Sequence, residues 1–401
     1  MIIEPKVKGF ICITAHPDGC AKNVRDNIDY VERQGKIELP QIKNVLVIGS
    51  STGYGLTSAI TASFSLGANV LGVAFEKNAN RGRTATAGLY NLAAYQKEAR
   101  AKGLYLKNII GDAFSDEIKS KVCEVAESDM QKIDMIVYSI AAPSRIDPNT
   151  SEKYTSVIKP IGKEYKSKGI DLNGYKMTEM AVQPATAEEI ENTKKVMGGE
   201  DLELWVDTLK KRDLLSGGAI VLAYSYVGPS VTHDIYLNGS IGMAKNHIKE
   251  TSDKLSADKN YNVKSFVAIN KAVVTQSSSA IPVLPLYISI LFKVMKDKNI
   301  HEGCIEQMYR LFEKFEKFTG EDLTDERGFI RIDDWEMRED VQREVSERWE
   351  KIDDENINAL SDLEGYKTDF LKLFGFGVDG VDYAKDFGDA DLEVDCPDII
   401  F

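Results

Sequence analysis

Tyr236 and Lys245, in the stretch Tyr-Leu-Asn-Gly-Ser-Ile-Gly-Met-Ala-Lys, are the residues best suited to chemistry in this 401-residue chain. A phenol near an ammonium can give a proton to an oxygen that gains negative charge, and such a pair is the proton donor of nicotinamide-dependent reductases. The ordinary phenol pKa near 10 is high for transfer at neutral pH, and a nearby cation lowers it while reaching ribose hydroxyls. The spacing is an obstacle. The pair stands nine positions apart, and at about 100° per residue that puts it on opposite faces of a continuous helix. Asn238-Gly239 is a turn signal and Ser240 a good N-cap. The sequence therefore predicts a helix beginning near residue 240, with Tyr236 outside it and folded back over the face that carries Lys245. A second phenol, Tyr226, lies ten residues upstream in Tyr224-Ser-Tyr-Val-Gly228-Pro.

These residues need elements to hold them. Apolar, β-branched runs at 45–48, 70–75, 108–110, 135–138, 219–224 and 265–269 read as strands buried on both faces. Helix-like segments at 54–66, 88–102, 114–129, 199–214 and 240–256 alternate with them. That alternation predicts an α/β fold with a doubly wound, mostly parallel sheet. The chain divides into an N-terminal extension (1–44, with a helix near 20–35), a nucleotide-binding half (45–142), an insertion read as a lid (143–198), a catalytic half (199–299) and a C-terminal extension (300–401). In the last, a helix is expected around 333–352, and the acidic stretch after Gly375 is expected to lie extended on the surface.

Gly49-Ser50-Ser51-Thr52-Gly53-Tyr54-Gly55 follows the first strand and opens a helix. Glycines there let the backbone turn tightly and approach a pyrophosphate at a helix N-terminus. Phe75-Glu76 ends the second strand, and an acidic residue there accepts from both ribose hydroxyls of NADH and repels a 2′-phosphate; Lys77, Arg81 and Arg83 follow closely and could offset it. Asp112-Ala113 after the third strand are placed to bracket an adenine, and Ile140-Ala141 after the fourth supply small side chains where a dinucleotide must pass. The cofactor expected is NADH/NAD.

The apolar segment 281–297 reads as a core helix that could also line an acyl-chain channel. No run is long enough to span a bilayer: the most apolar stretch, 280–292, has 13 residues and two prolines. The net charge of −13 argues against general nucleic-acid binding. Five scattered cysteines fit reduced thiols in a cytoplasmic protein. Cys12, His16 and Cys20 are soft donors within nine residues, but no fourth ligand follows, and no metal is expected. The four histidines are too dispersed for a triad, and the serines at 50–51 and 277–279 lack the G-x-S-x-G elbow of hydrolases.

The order of glycine loop, acidic strand end, Tyr and Lys resembles the short-chain dehydrogenase/reductase superfamily. The eight residues between Tyr236 and Lys245, with "GSSTGYG" upstream and "NKAVVTQSSSAIPVLPLY" downstream, resemble the FabV-type enoyl-ACP reductase and trans-2-enoyl-CoA reductase family. The likeness extends through "AHPDGC" (15–20), "GDAFSDEIK" (111–119), "KVMGGED" (195–201) and "IRIDDWE" (330–336); Leu89 departs from it, standing where that family leads one to expect Trp. The resemblance implies a Rossmann-like reductase that uses NADH to reduce enoyl-CoA or enoyl-ACP. It implies Tyr236 as proton donor, Lys245 as its cationic partner and cofactor contact, and Tyr226 as a contact to the thioester carbonyl. It further implies NADH contacts from Gly49 to Tyr54, Phe75-Glu76, Asp112-Ala113 and Ile140-Ala141, with Val274-Thr275-Gln276 closing over the nicotinamide. The rival readings are a carbonyl reductase of the short-chain type and a non-catalytic NAD(H)-sensing module. A monomer is expected, because the extensions can cover surfaces through which smaller relatives associate.

Overall fold

The computed structural model describes residues 1–401 except 81, 173 and 319. Arg81, one of the cations noted after the second strand, lies outside the described residues. The six expected strands form the middle of an eight-stranded parallel sheet. Its order is Phe329–Arg331, Val263–Ile269, Leu215–Ser225, Ile133–Tyr138, Asn44–Ile48, Asn69–Ala74, Leu106–Ile110 and Ile399–Ile400. Sequence order runs outward in both directions from the pair Asn44–Ile48 and Ile133–Tyr138. A crevice opens at that reversal, beyond the carboxyl ends of the strands, where such sheets take ligands.

Val45, Leu46, Val47 and Ile48 are fully buried, as a strand covered by helices on both faces requires. The helices Gly53–Phe64, Ala87–Ala101, Asp116–Asp129, Glu200–Lys211 and Ser240–Ala257 fall where the sequence places them, and Pro17–Gln34 is the N-terminal helix. Leu89 is buried in the core, so its departure from Trp concerns packing.

The insertion forms two antiparallel hairpins, Ser144–Ile146 with Lys153–Thr155 and Tyr165–Asp171 with Lys176–Val182, then the helix Ala187–Met197. The apolar segment forms the helix Leu284–Asp297, on which eleven residues are buried. Residues 12, 16 and 20 serve the core: His16 caps Pro17–Gln34 by accepting from the Gly19 amide at 3.2 Å, inside a cage of Phe376, Tyr383 and Phe387.

Two expectations about the C-terminal extension are corrected. The helix begins at Glu339 and ends at Lys351, and residues 333–337 form a turn. Asp333 is drawn to the Arg331 guanidinium (2.6 Å) and Glu336 is wholly buried, contacts a helix from 333 onward would not make. The tail after Gly375 lies largely on the surface, but it is pinned there and is not extended throughout, with a helical turn at Asp389–Leu392. Phe376, Phe387, Leu392 and Ile399 are buried, and Ile399–Ile400 adds an edge strand beside Leu106–Ile110. Its anchoring residues are too widely spaced among acidic ones to read as a period.

Candidate active site

The helix Ser240–Ala257 starts where expected, and Tyr236 lies in the turn before it. The cap is not Ser240 but Gly239. A Cβ at Gly239 would come within 2.4 Å of the Ile235 carbonyl oxygen, so glycine must occupy the cap. Ser240 is the first helical residue, and its hydroxyl donates to Val157 O (2.6 Å), tying the helix to the insertion. One turn on, a Cβ at Gly242 would meet the Leu237 carbonyl at 1.8 Å. That bare backbone lets the turn carrying Tyr236 fold down over the helix start, where the Gly242 amide donates to Tyr236 O (3.0 Å).

Tyr236 and Lys245 both line a cavity of about 640 Å³ at the carboxyl ends of the strands. Lys245 Nζ donates to the Tyr224 carbonyl (3.0 Å) at the end of the third strand in sheet order, and burial of the ammonium lowers its pKa to about 8. The expected lowering of the tyrosine by the lysine is absent: burial raises the Tyr236 pKa. Desolvation of a phenolate outweighs any attraction to an ammonium tied to a carbonyl. Tyr236 therefore keeps its proton at neutral pH, and among the described residues its hydroxyl has no hydrogen-bond partner while facing the cavity. Tyr226 packs edge-on against it, ring centroids 5.1 Å apart, and donates its own proton to Glu336 Oε1 (3.2 Å).

At the other end, Gly49 has φ +92°, and a Cβ there would approach the Ser139 carbonyl oxygen to 2.2 Å. Gly49, Ser51, Thr52, Gly53 and Tyr54 line the cavity, as do Phe75, Asp112, Ala113, Ile140, Ala141, Thr275 and Gln276. Tyr54 also ties this loop to the opposite wall by donating to Lys271 O (2.7 Å). Three of the expected cofactor residues do not line it. Ser50 turns its hydroxyl inward onto Val73 O (3.3 Å), Val274 is buried in the core, and the Glu76 carboxylate accepts from Ser51 Oγ (2.5 Å) behind the loop. Burial raises the Glu76 pKa against the opposing hydrogen bonds from Ser51 and Thr86.

The cavity also contains residues that were assigned no role from sequence. Asn270, Lys271 and Ala272 follow the strand Val263–Ile269, and both polar atoms of the Asn270 amide are buried without a partner among the described residues. Their place after a parallel strand was the signal that could have found them. Phe114 lines it beside Asp112 and Ala113, and Ile281 and Leu284 bring the apolar segment to the wall. Ser144, Ile146 and Lys153 bring the insertion.

This arrangement has close counterparts. Residues 83–315 match the family model described as the trans-2-enoyl-CoA reductase catalytic region, and residues 2–81 match the NAD(P)H binding domain of trans-2-enoyl-CoA reductase. The chain belongs to the trans-2-enoyl-CoA reductase family. An enoyl-[acyl-carrier-protein] reductase [NADH] of Flavobacterium psychrophilum is 49% identical over 96% of this chain and 97% of its own length. A trans-2-enoyl-CoA reductase [NADH] of Clostridium perfringens is 50% identical over 96% and 98%. The crystal structure of Treponema denticola trans-2-enoyl-CoA reductase in complex with NAD superposes with a TM-score of 0.91 at 46% identity, covering 96% of this chain and 98% of that one.

Residues 324–387 match a third family model, described as an enoyl reductase FAD binding domain. Their geometry does not fit a flavin: among the described residues none of them lines the cavity. Val341, Val345, Tyr366 and Phe370 instead join the same hydrophobic core as the helix Leu284–Asp297. In this member of the trans-2-enoyl-CoA reductase family the segment backs the site.

Proposed function

We propose that this chain reduces the trans-2 double bond of an enoyl thioester, enoyl-CoA or enoyl-ACP, at the expense of NADH. The observation that carries the reading is a protonated phenol, Tyr236, without a hydrogen-bond partner among the described residues and facing the same cavity as a glycine loop at the first strand end. NADH, when bound, supplies hydride to the β-carbon. The electrons displaced collect on the thioester oxygen, and Tyr236 is the group that donates to that oxygen, with Tyr226 beside it. A donor aimed at a developing oxyanion contributes roughly 10²–10³ in rate. Lys245, held by Tyr224, is placed to reach the ribose hydroxyls and orient the nicotinamide end. Gly49, Ser51 to Tyr54 and Asp112-Ala113 hold the pyrophosphate and adenine, and Ile281 and Leu284 form the apolar wall for the acyl chain. The halves and extensions act as one catalytic unit, with the insertion closing over the cavity. The five cysteines are free, as a reducing cytoplasm keeps them, and the enzyme works there as a monomer.

NADH absorbance at 340 nm is expected to fall on adding crotonyl-CoA, and parallel rates with a matched acyl-ACP identify the preferred carrier. Turnover of alcohol–ketone pairs with none on crotonyl-CoA replaces this reading with the carbonyl-reductase one.

Cofactor choice has a separate test at Glu76. In Glu76→Ala the ratio of kcat/KM for NADPH to that for NADH is expected to rise about tenfold, because a carboxylate that repels a 2′-phosphate from behind the glycine loop is removed. An unchanged ratio takes Glu76 out of cofactor recognition.

A further inference from the structure

Behind the two tyrosines lies a carboxylate that the chemistry above does not use. Glu336 is 0% exposed and sits in the turn between the strand Phe329–Arg331 and the helix Glu339–Lys351. Its Oε2 accepts from the Ala272 amide (2.7 Å), and its Oε1 accepts from the hydroxyls of Tyr287 (2.6 Å) and Tyr226 (3.2 Å). The bond from the Ala272 backbone amide has a fixed direction, since that group can only donate. Gln342 Nε2 donates to the Glu336 carbonyl (2.7 Å), which can only accept, so the orientation of that side-chain amide is set. The same nitrogen donates to the Tyr287 oxygen (3.1 Å), which leaves the Tyr287 proton available to Glu336 at 2.6 Å. The longer bond, to Tyr226, is the one free to reverse when the carboxylate gains a proton.

We propose that Glu336 is a positioning residue that sets the direction of the Tyr226 hydroxyl: ionised, it holds the Tyr226 proton on itself, and protonated on Oε1, it donates to Tyr226 and turns that O–H toward the thioester carbonyl. The inference rests on the reading of Tyr226 as a contact to that carbonyl. Passing between the two states, Glu336 takes up one proton from solvent and no bond within Tyr226 breaks. In the protonated state the chain Glu336–Tyr226–carbonyl oxygen runs in one direction, and hydrogen bonds in series strengthen one another. The acid form is therefore the active one, and activity falls as pH rises through the Glu336 ionisation.

The groups facing Glu336 favour titration in the working range. Burial raises it most; Lys271, from the loop after the strand Val263–Ile269, opposes this, as do the bonds from Tyr287 and Ala272, and Asp333 in the same turn adds to the rise. The result is a carboxyl pushed up to about 7. Asp333 is itself paired with Arg331, and Glu302, which also acts on Lys271, is paired with Arg310. Burial also lowers the ammonium groups of Lys271 and Lys245, the latter to about 8.

The test is kcat/KM for crotonyl-CoA from pH 6 to 7.5 in wild type and Glu336→Gln. An acid-active group near 7 gives about a fourfold fall over that interval, whereas one near 8 gives a fall of under about 1.5-fold. Glutamine cannot ionise and, with its carbonyl kept on the Ala272 amide, is a permanent donor toward Tyr226, so the variant is expected nearly flat from pH 6 to pH 7.5, at a rate lowered by the loss of the Tyr287 acceptor. A fourfold fall retained in Glu336→Gln overturns the proposal. Should that variant not fold, Tyr226→Phe serves: its residual activity should show no fall, since no hydroxyl is left to turn, and a retained fall again overturns the role of Glu336. Undiminished kcat/KM in Tyr226→Phe contradicts the carbonyl contact itself, an outcome distinct from both.

Discussion

Tyr236→Phe is expected to lower kcat on crotonyl-CoA by about 10²–10³-fold, the loss of one donor to a developing oxyanion, while NADH binds with a Kd within about twofold of wild type. The separation of the two effects follows from geometry. The Tyr236 hydroxyl makes no hydrogen bond to the protein among the described residues, so removing it leaves no partner unsatisfied, and the ring remains to pack against Tyr226. Cofactor affinity is assigned to the glycine loop and Lys245, at other points of the cavity wall. Steady-state rates and an NADH fluorescence titration measure the two quantities on one preparation. Full turnover in the variant removes the proton-donor role, and joint loss of rate and NADH affinity points to a packing role.

Asp201→Ala should cost about 3–5 kcal/mol of stability, because it leaves a buried cation without its partner. Lys119 and Asp201 are each 1% exposed and lie 2.8 Å apart. Lys119 also donates to the carbonyls of Ala113 (3.0 Å) and Phe114 (2.9 Å), and Tyr138 donates to the second Asp201 oxygen (3.0 Å). This network holds the loop that brings Asp112, Ala113 and Phe114 to the cavity, so KM for NADH is expected to rise with the loss of stability. Urea unfolding followed by circular dichroism measures the first effect and initial rates the second. A change below about 1 kcal/mol means that water has reached the lysine and the pair is not sealed as the structure shows.

The sheet core and its helices were legible because buried parallel strands are continuous apolar runs, and each of the six was found within a few residues of its ends. The two edge strands were not. Phe329–Arg331 and Ile399–Ile400 have three and two residues, too few for a pattern, and they pair because a neighbour offers free backbone groups. The start of the helix carrying Lys245 was read correctly for a partly wrong reason: serine suits a cap by propensity, but the crowding of the Ile235 carbonyl, a tertiary fact, reserves that place for Gly239. The sequence-expected cofactor residues mostly gather on one cavity, since strand ends in such a fold converge. Ser50, Glu76 and Val274 turn elsewhere, because neighbours along a chain point to different sides. Glu336 lay in plain view within "IRIDDWE", yet its meaning depends on Tyr226, Tyr287 and Gln342, which only the folded chain brings to it.

The turn that carries Glu336 comes nearly three hundred residues after the glycine loop. The contact between Glu336 and Tyr226 closes a loop of more than a hundred residues, and pairings of long sequence separation form late in folding. The C-terminal extension, the last part of the chain to be made, thus holds the group that sets the direction of the Tyr226 hydroxyl, so a chain cut short before residue 336 keeps the tyrosine but loses what orients it.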